Sequence, residues 1–212
     1  RGYDSAGIAT VAAQGKLTCL RAKGKLRNLT ACVDKEGAPG QCGIGHTRWA
    51  THGKPEERNA HPHRSSDGAV AVVQNGIIEN HRALREQLEA SGVVFQSETD
   101  TEVIPHLLAA ELQQLQAGGG TPLGWLLLEA LQRVLPKLQG AYALAVIWDQ
   151  APGALVVARK AAPLLIGLGE GEFLCASNTP ALAGFTRTIL PMEDGEVALL
   201  SPLGVELYDA AG

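Results

Sequence analysis

No stretch of this sequence stays apolar for the roughly 20 residues that cross a bilayer as a helix. The longest apolar runs, GWLLLEAL at 124–131 and GAYALAVIW at 140–148, fall far short of that length, which excludes a membrane-crossing helix. Clustered positive charge is equally scarce. No run of Lys or Arg is longer than two or three residues, and 18 Lys plus Arg against 22 Asp plus Glu leave a formal charge of −4 and a pI near 5.9. Nucleic acid and anionic membranes are bound by surfaces of the opposite balance, so neither is expected as a partner.

Cysteine is sparse: Cys19, Cys32, Cys42 and Cys175 stand apart, with no C-x-x-C pair. That removes a disulfide framework and a zinc knuckle and fits a reducing compartment, so a cytoplasmic location is expected. His46, His52, His61, His63 and His81 are not framed by an H-E-x-x-H motif; hydrogen-bonding histidines near a site are a plainer reading than a metal centre, and no metal is expected. A G-x-S-x-G elbow is also missing, which sets aside a serine hydrolase of that type. The chain opens on Arg1 rather than Met and shows no secretory leader, which reads as a piece of a longer protein.

What is present is enough for one substantial core: 212 residues, 45% hydrophobic, with a mean hydropathy near zero. The runs 6–13 and 16–24 read as strands joined at Gln14-Gly15, followed by a short helix near 25–34. Two more strands, 43–50 and 69–76, flank the polar segment 51–68, which is long for a plain connection and is therefore a candidate functional loop. Three helical patterns follow at 78–92, 100–120 and 121–140, with Pro105 near the start of the second, where its missing N–H matters least. From 140 onward seven short β-runs are separated by Gly, Pro and Asp turns. Two sheets face to face with helices outside, an αββα layering, bury these runs economically.

The polar chemistry concentrates in HTRWATHG, His46 to Gly53. A small zwitterion needs a cation for its carboxylate and an anion for its ammonium. Arg48, at a strand end, offers the planar fork for a carboxylate. Asp100, in SETDTE at a predicted helix start, can receive the ammonium, and can equally be a helix N-cap. The Asn75 side-chain amide and the Gly76 backbone N–H can form a pair of oxyanion donors; a simple Asn-Gly turn is the competing reading.

RGYDSAGIA (1–9), GIGHTRWATHG (43–53), NAHPH (59–63), QNGIIENH (74–81) and SETDTEVI (97–104) together resemble the glutaminase domains of the glucosamine-6-phosphate synthase family, among the class II glutamine amidotransferases. The resemblance implies an α+β fold, a four-layer αββα sandwich of the N-terminal-nucleophile hydrolase type, over 1–212. It implies hydrolysis of L-glutamine to glutamate and ammonia without an organic cofactor. The ammonia would pass to sugar-isomerase domains of the same parent chain, which make glucosamine 6-phosphate from fructose 6-phosphate and carry a homodimer contact. Residue by residue, Arg48 would clamp the α-carboxylate and Asp100 the α-amino group, with Thr51 and His52 in the closing loop. Trp49 would gate ammonia, against a buried packing role. His61 would stand near the site or support the loop. Asn75 and Gly76 would stabilise the oxyanion, and Arg1 would lie near the nucleophile. The glutaminase half of another class II amidotransferase, or a glutamine-binding module without catalysis, remains as an alternative.

The family nucleophile is an N-terminal cysteine whose own α-amino group is the base; that amine titrates at about 7.7–8.0, close to working pH. By resemblance it would lie about 25 residues before Arg1, on a strand followed by a helix. None of the four cysteines present has the free α-amine, so the chain as given is expected to turn over no glutamine.

Overall fold

The computed structural model describes residues 4–49, 52–119 and 121–211. Alternating apolar residues build the first sheet: β1 (Ser5–Val11) pairs antiparallel with β2 (Leu17–Lys23) on one side and with β3 (Cys42–Arg48) on the other, in register from Ser5 opposite Arg48 to Val11 opposite Cys42. Because side chains alternate across a strand, Ala6, Leu20 and Ala22 face α1 (Leu26–Glu36) through its buried Leu29, whereas Ala9, Val11 and Ile44 face inward.

The second layer is a six-stranded antiparallel sheet. It contains the short β4 (His63–Arg64), β5 (Val70–Ile78), β6 (Gly140–Trp148) and β7 (Leu155–Lys160). After β8 (Leu165–Leu168), β9 (Phe173–Ala176) and β10 (Thr188–Pro191), the chain returns to this sheet with β11 (Glu196–Ser201) and β12 (Gly204–Asp209). Its order is β12-β11-β7-β6-β5-β4, while β10-β8-β9 forms a separate three-stranded sheet. The backbone of the layer is the β5–β6 ladder, from Val70 opposite Trp148 to Ile78 opposite Gly140.

One face of the large sheet carries Val72, Leu144, Val146 and Val156 against α2 (His81–Ala90), α3 (Val103–Gln116) and α4 (Leu123–Val134). Leu127 and Leu131 are wholly buried there, and each such leucine contributes about 1.5–3 kcal/mol. The other face carries Ala71, Val73, Ala145, Ile147 and Val157, packed against both three-stranded sheets through residues such as Ile44, Ile166 and Met192. The order is helix, paired sheets, sheet, helices: the αββα sandwich expected of N-terminal-nucleophile hydrolases.

Two local readings change. The second long helix begins at Val103, not at Asp100, and its N-cap position is Glu102; Asp100 is occupied elsewhere, so the capping role for it falls. Asn75-Gly76 lies within β5 and not in a turn, which removes the competing reading of that pair.

Candidate active site at the end of β3

β3 and β9 are the terminal strands of their two sheets among the described residues. Between them lies a cavity of about 260 Å³, walled by Gly43–His46 and Phe173–Ser177 and floored by Val73–Asn75 and Ala143–Ala145 of the large sheet. Asn75 is exposed into this slot although its strand neighbours Val73 and Gln74 are buried. The next residue, Gly76, has φ 135°, and a Cβ there would fall 2.1 Å from the Ala141 carbonyl oxygen, so only glycine fits where β5 presses on β6.

Arg48 closes β3 and is 3% exposed. Its Nη1 donates to the Lys54 carbonyl at 3.1 Å, and Nη2 donates to the Gly53 carbonyl at 3.1 Å and to the His52 carbonyl. Asp4 Oδ1 stands 3.7 Å from Nη1. The guanidinium therefore gathers the loop that leaves β3, with the planar fork turned onto backbone oxygens. Asp100, also 3% exposed, accepts the Ile78 backbone N–H on Oδ2 at 2.7 Å, while its Oδ1 lies 4.0 Å from His52 Nδ1. One residue, His52, thus touches the buried cation with its carbonyl and the buried anion with its ring.

Behind these groups sits a polar layer in which the hydrogen-bonding histidines expected near the site join Ser97, Thr99, Glu102 and His106, whose part sequence reasoning missed. His46 stacks on His61 with ring centroids 4.1 Å apart, and His61 meets His63 edge-on at 4.9 Å. His61 Nδ1 accepts the Gln74 backbone N–H at 3.3 Å, so this ring braces β5 beside Asn75. His63 Nε2 meets Thr99 Oγ1 at 2.9 Å, Thr99 Oγ1 meets Ser97 Oγ at 3.1 Å, and Ser97 Oγ donates to Glu102. Glu102 also accepts the backbone N–H groups of Gln96 and Ser97 at 2.8 and 2.6 Å and lies 3.3 Å from His106 Nε2. Thr101 Oγ1 donates to Gln74 Oε1 at 2.6 Å. The run SETDTE was the available signal: six polar residues before an apolar helix must satisfy their groups in the fold.

Burial, and then the Arg48 charge, push His46 down to about 4; burial chiefly, with neighbouring cations, lowers His61 and His63 as well. The imidazoles are neutral at ordinary pH. Burial works against the Glu102 carboxylate, but hydrogen bonds from His106, Ser97 and the backbone prevail and hold it below its usual range. Burial pushes Cys42 up to about 11 and Cys175, with Cys42 beside it, up to about 12, and it raises Cys19 too. Thiols raised in this way stay protonated at ordinary pH.

Of the residues singled out in the sequence, Arg48, His52 and Asp100 come together, Asn75 and Gly76 lie side by side on β5, and His61 supports β5 from behind. Trp49 is 71% exposed, so the buried packing role considered for it is wrong. Thr51 and Arg1 lie outside the described residues. Among the described residues no group of three or more His, Cys, Asp or Glu side chains is arranged to hold a metal ion.

The family model for the glutamine amidotransferase domain matches residues 46–184, which include Arg48, Asn75, Gly76 and Asp100. The glutamine–fructose-6-phosphate aminotransferase (isomerizing) of Thermosynechococcus vestitus is 58% identical over the whole chain, and that of a Nostoc species 57%. The chain spans 33% of the length of each of these relatives. Among solved structures, the glutamine phosphoribosylpyrophosphate amidotransferase from B. subtilis superposes with a TM-score of 0.79 and 28% identity, covering 99% of this chain and 43% of that one. The chain belongs to the glutamine amidotransferase domain family.

Proposed function

We propose that the chain binds L-glutamine at the end of β3 and supplies the charge clamp and oxyanion donors with which the full-length protein hydrolyses the side-chain amide to glutamate and ammonia. The observation that carries this reading is the pair of buried opposite charges, Arg48 and Asp100, both in contact with His52. Arg48 takes the α-carboxylate and Asp100 the α-ammonium. Because Arg48 Nη2 holds the carbonyls of His52 and Gly53, a carboxylate exchanges those two backbone acceptors for a charged one while Nη1 keeps the Lys54 carbonyl, and binding moves the loop. Recognition and closure are then one event, with His52 in the moving loop and the exposed Trp49 on the ammonia exit. Asn75 and Gly76 donate to the oxygen that becomes negative when the amide carbon turns tetrahedral, a role worth about 3 kcal/mol per donor.

The attacking group in this reading is the thiolate of an N-terminal cysteine of the full-length protein, on an extended segment seated in the slot between β3 and β9, with its own α-amine as base. Two strands that are each terminal in their sheet among the described residues, a floor with Val73 and Ala143–Ala145, and Asn75 in the lining support that placement. The inert environments of Cys19, Cys42 and Cys175 support the corollary that the chain alone is not a glutaminase. In the full-length protein the ammonia aminates fructose 6-phosphate to glucosamine 6-phosphate in sugar-isomerase domains that also form a homodimer, in the cytoplasm. The far higher identity to the fructose-6-phosphate aminotransferases than to the phosphoribosylpyrophosphate enzyme favours this acceptor. The test is ammonia release by the full-length protein: Asp100→Ala is expected to abolish saturation by L-glutamine, and saturation equal to wild type overturns the reading.

A further inference from the structure

The end of β3 and the turn before α3 carry the opposite charges of the clamp, and one side chain joins the segments beside them. Asn59 is fully buried at the end of the turn Glu57–Asn59. Its Nδ2 donates to the Lys54 carbonyl at 2.9 Å and to Glu98 Oε2 at 3.1 Å, and its Oδ1 accepts the Glu98 backbone N–H at 2.8 Å. The Lys54 carbonyl is the oxygen that also accepts from Arg48 Nη1 at 3.1 Å, and Glu98 stands two residues before Asp100. A continuous hydrogen-bonded path therefore runs from the Arg48 guanidinium through the Lys54 carbonyl, the Asn59 amide and the Glu98 N–H to the turn that carries Asp100.

A carboxamide suits this place because its donor and acceptor ends are fixed in one plane, which makes it a rigid spacer between two backbones. Gly53 gives an independent sign that the spacing is tight. Its φ is +80°, and a Cβ there would fall 2.7 Å from Asn59 Nδ2 and 3.1 Å from Glu98 Cβ. The loop is pressed onto the bridge with room for a hydrogen atom only.

We propose that Asn59 is a positioning residue that sets the separation between Arg48 and Asp100, and so selects ligands that carry a carboxylate and an ammonium on one carbon. The inference rests on the glutamine-clamp reading above. Asn59 touches no ligand; it acts by holding two partners at the distance an α-amino acid spans. A ligand with one charge uses one side of the clamp and is indifferent to that distance.

The experiment measures, on the full-length protein, kcat and KM for L-glutamine together with the inhibition constants of glutaramate, which lacks the ammonium, and 4-aminobutanamide, which lacks the carboxylate. Asn59→Asp keeps the size and the acceptor for Glu98 but sets a carboxylate against the Lys54 carbonyl and the Glu98 side chain. The expected result is a KM about ten-fold higher with kcat nearly retained, while both inhibition constants move by less than about three-fold. Equal weakening of all three ligands, or no weakening of L-glutamine, overturns the proposal. Should Asn59→Asp fail to fold, Gly53→Ala on the exposed loop displaces the same bridge and is expected to give the same pattern. Failure of the underlying reading looks different: wild type then shows no preference for L-glutamine over the two analogues, which removes the clamp and the inference with it.

Discussion

His52 Nδ1 lies 4.0 Å from Asp100 Oδ1 while the His52 carbonyl accepts a hydrogen bond from Arg48. The loop that follows β3 is therefore held at both ends of the proposed charge clamp. Each ion is nearly excluded from water, and a buried ion left without its partner is strongly destabilising.

Removing the cation tests the first consequence. Arg48→Ala is expected to raise the KM for L-glutamine by about two orders of magnitude, on the order of 3 kcal/mol for truncating one member of a buried charged contact, with a smaller change in kcat. Steady-state kinetics on the full-length protein measure it, and an unchanged KM removes the carboxylate role.

The exposed Asn75 amide in the β3–β9 slot makes a different prediction. Asn75→Ala is expected to lower kcat by about 10²-fold with little change in KM, since an oxyanion donor acts in the transition state and not in the ground state. Parallel losses of binding and rate contradict that assignment.

Acid sensitivity follows from the histidine stack. His46, His61 and His63 have lowered pKa values in the fold, whereas the unfolded chain takes up protons near 6.5. Unfolding binds protons in this range, so the stabilisation is complete above about pH 6.5 and is lost as pH falls through about 4, where His46 titrates in the fold. Each group adds a slope of up to about 1.4 kcal/mol per pH unit. Thermal unfolding followed from pH 8 to pH 4 checks this: a steady fall beginning near 6.5 is expected, and a flat profile down to pH 5 contradicts the buried, neutral stack.

Chelation gives a further check on these histidines. Glutaminase activity is expected to survive a strong chelator, because the rings bond to one another's surroundings, to Gln74 and to Thr99. Activity lost on chelation and restored by a divalent metal contradicts the account.

Most strand and helix positions were legible in the sequence because turn residues punctuate the apolar runs, although β5 runs on to Ile78 and α2 starts at His81, where a helix from 78 was expected. The 70–78 and 140–148 strands are bounded by turn residues, and α4 follows Thr121-Pro122. Arg48 and Asp100 were legible as charges of the right kind. Their connection was not, since Asn59 acts through two backbone partners, the Lys54 carbonyl and the Glu98 N–H, and through the Glu98 side chain, and nothing in NAHPH announces what its first residue touches. The start of α3 was misplaced for a related reason: Asp100 looks like a cap, but the Ile78 N–H competes for it and wins. The division of one layer into two three-stranded sheets is set by long-range pairing and leaves no local trace.

The central claim is that one pocket holds an amino acid by both of its charges. A crystal structure of the full-length protein with L-glutamate tests it most directly. The account predicts the α-carboxylate on the Arg48 guanidinium and the α-ammonium on the Asp100 carboxylate, with the side-chain carboxyl group directed toward Asn75. Glutamate bound elsewhere, or bound here without contact to both Arg48 and Asp100, would contradict it.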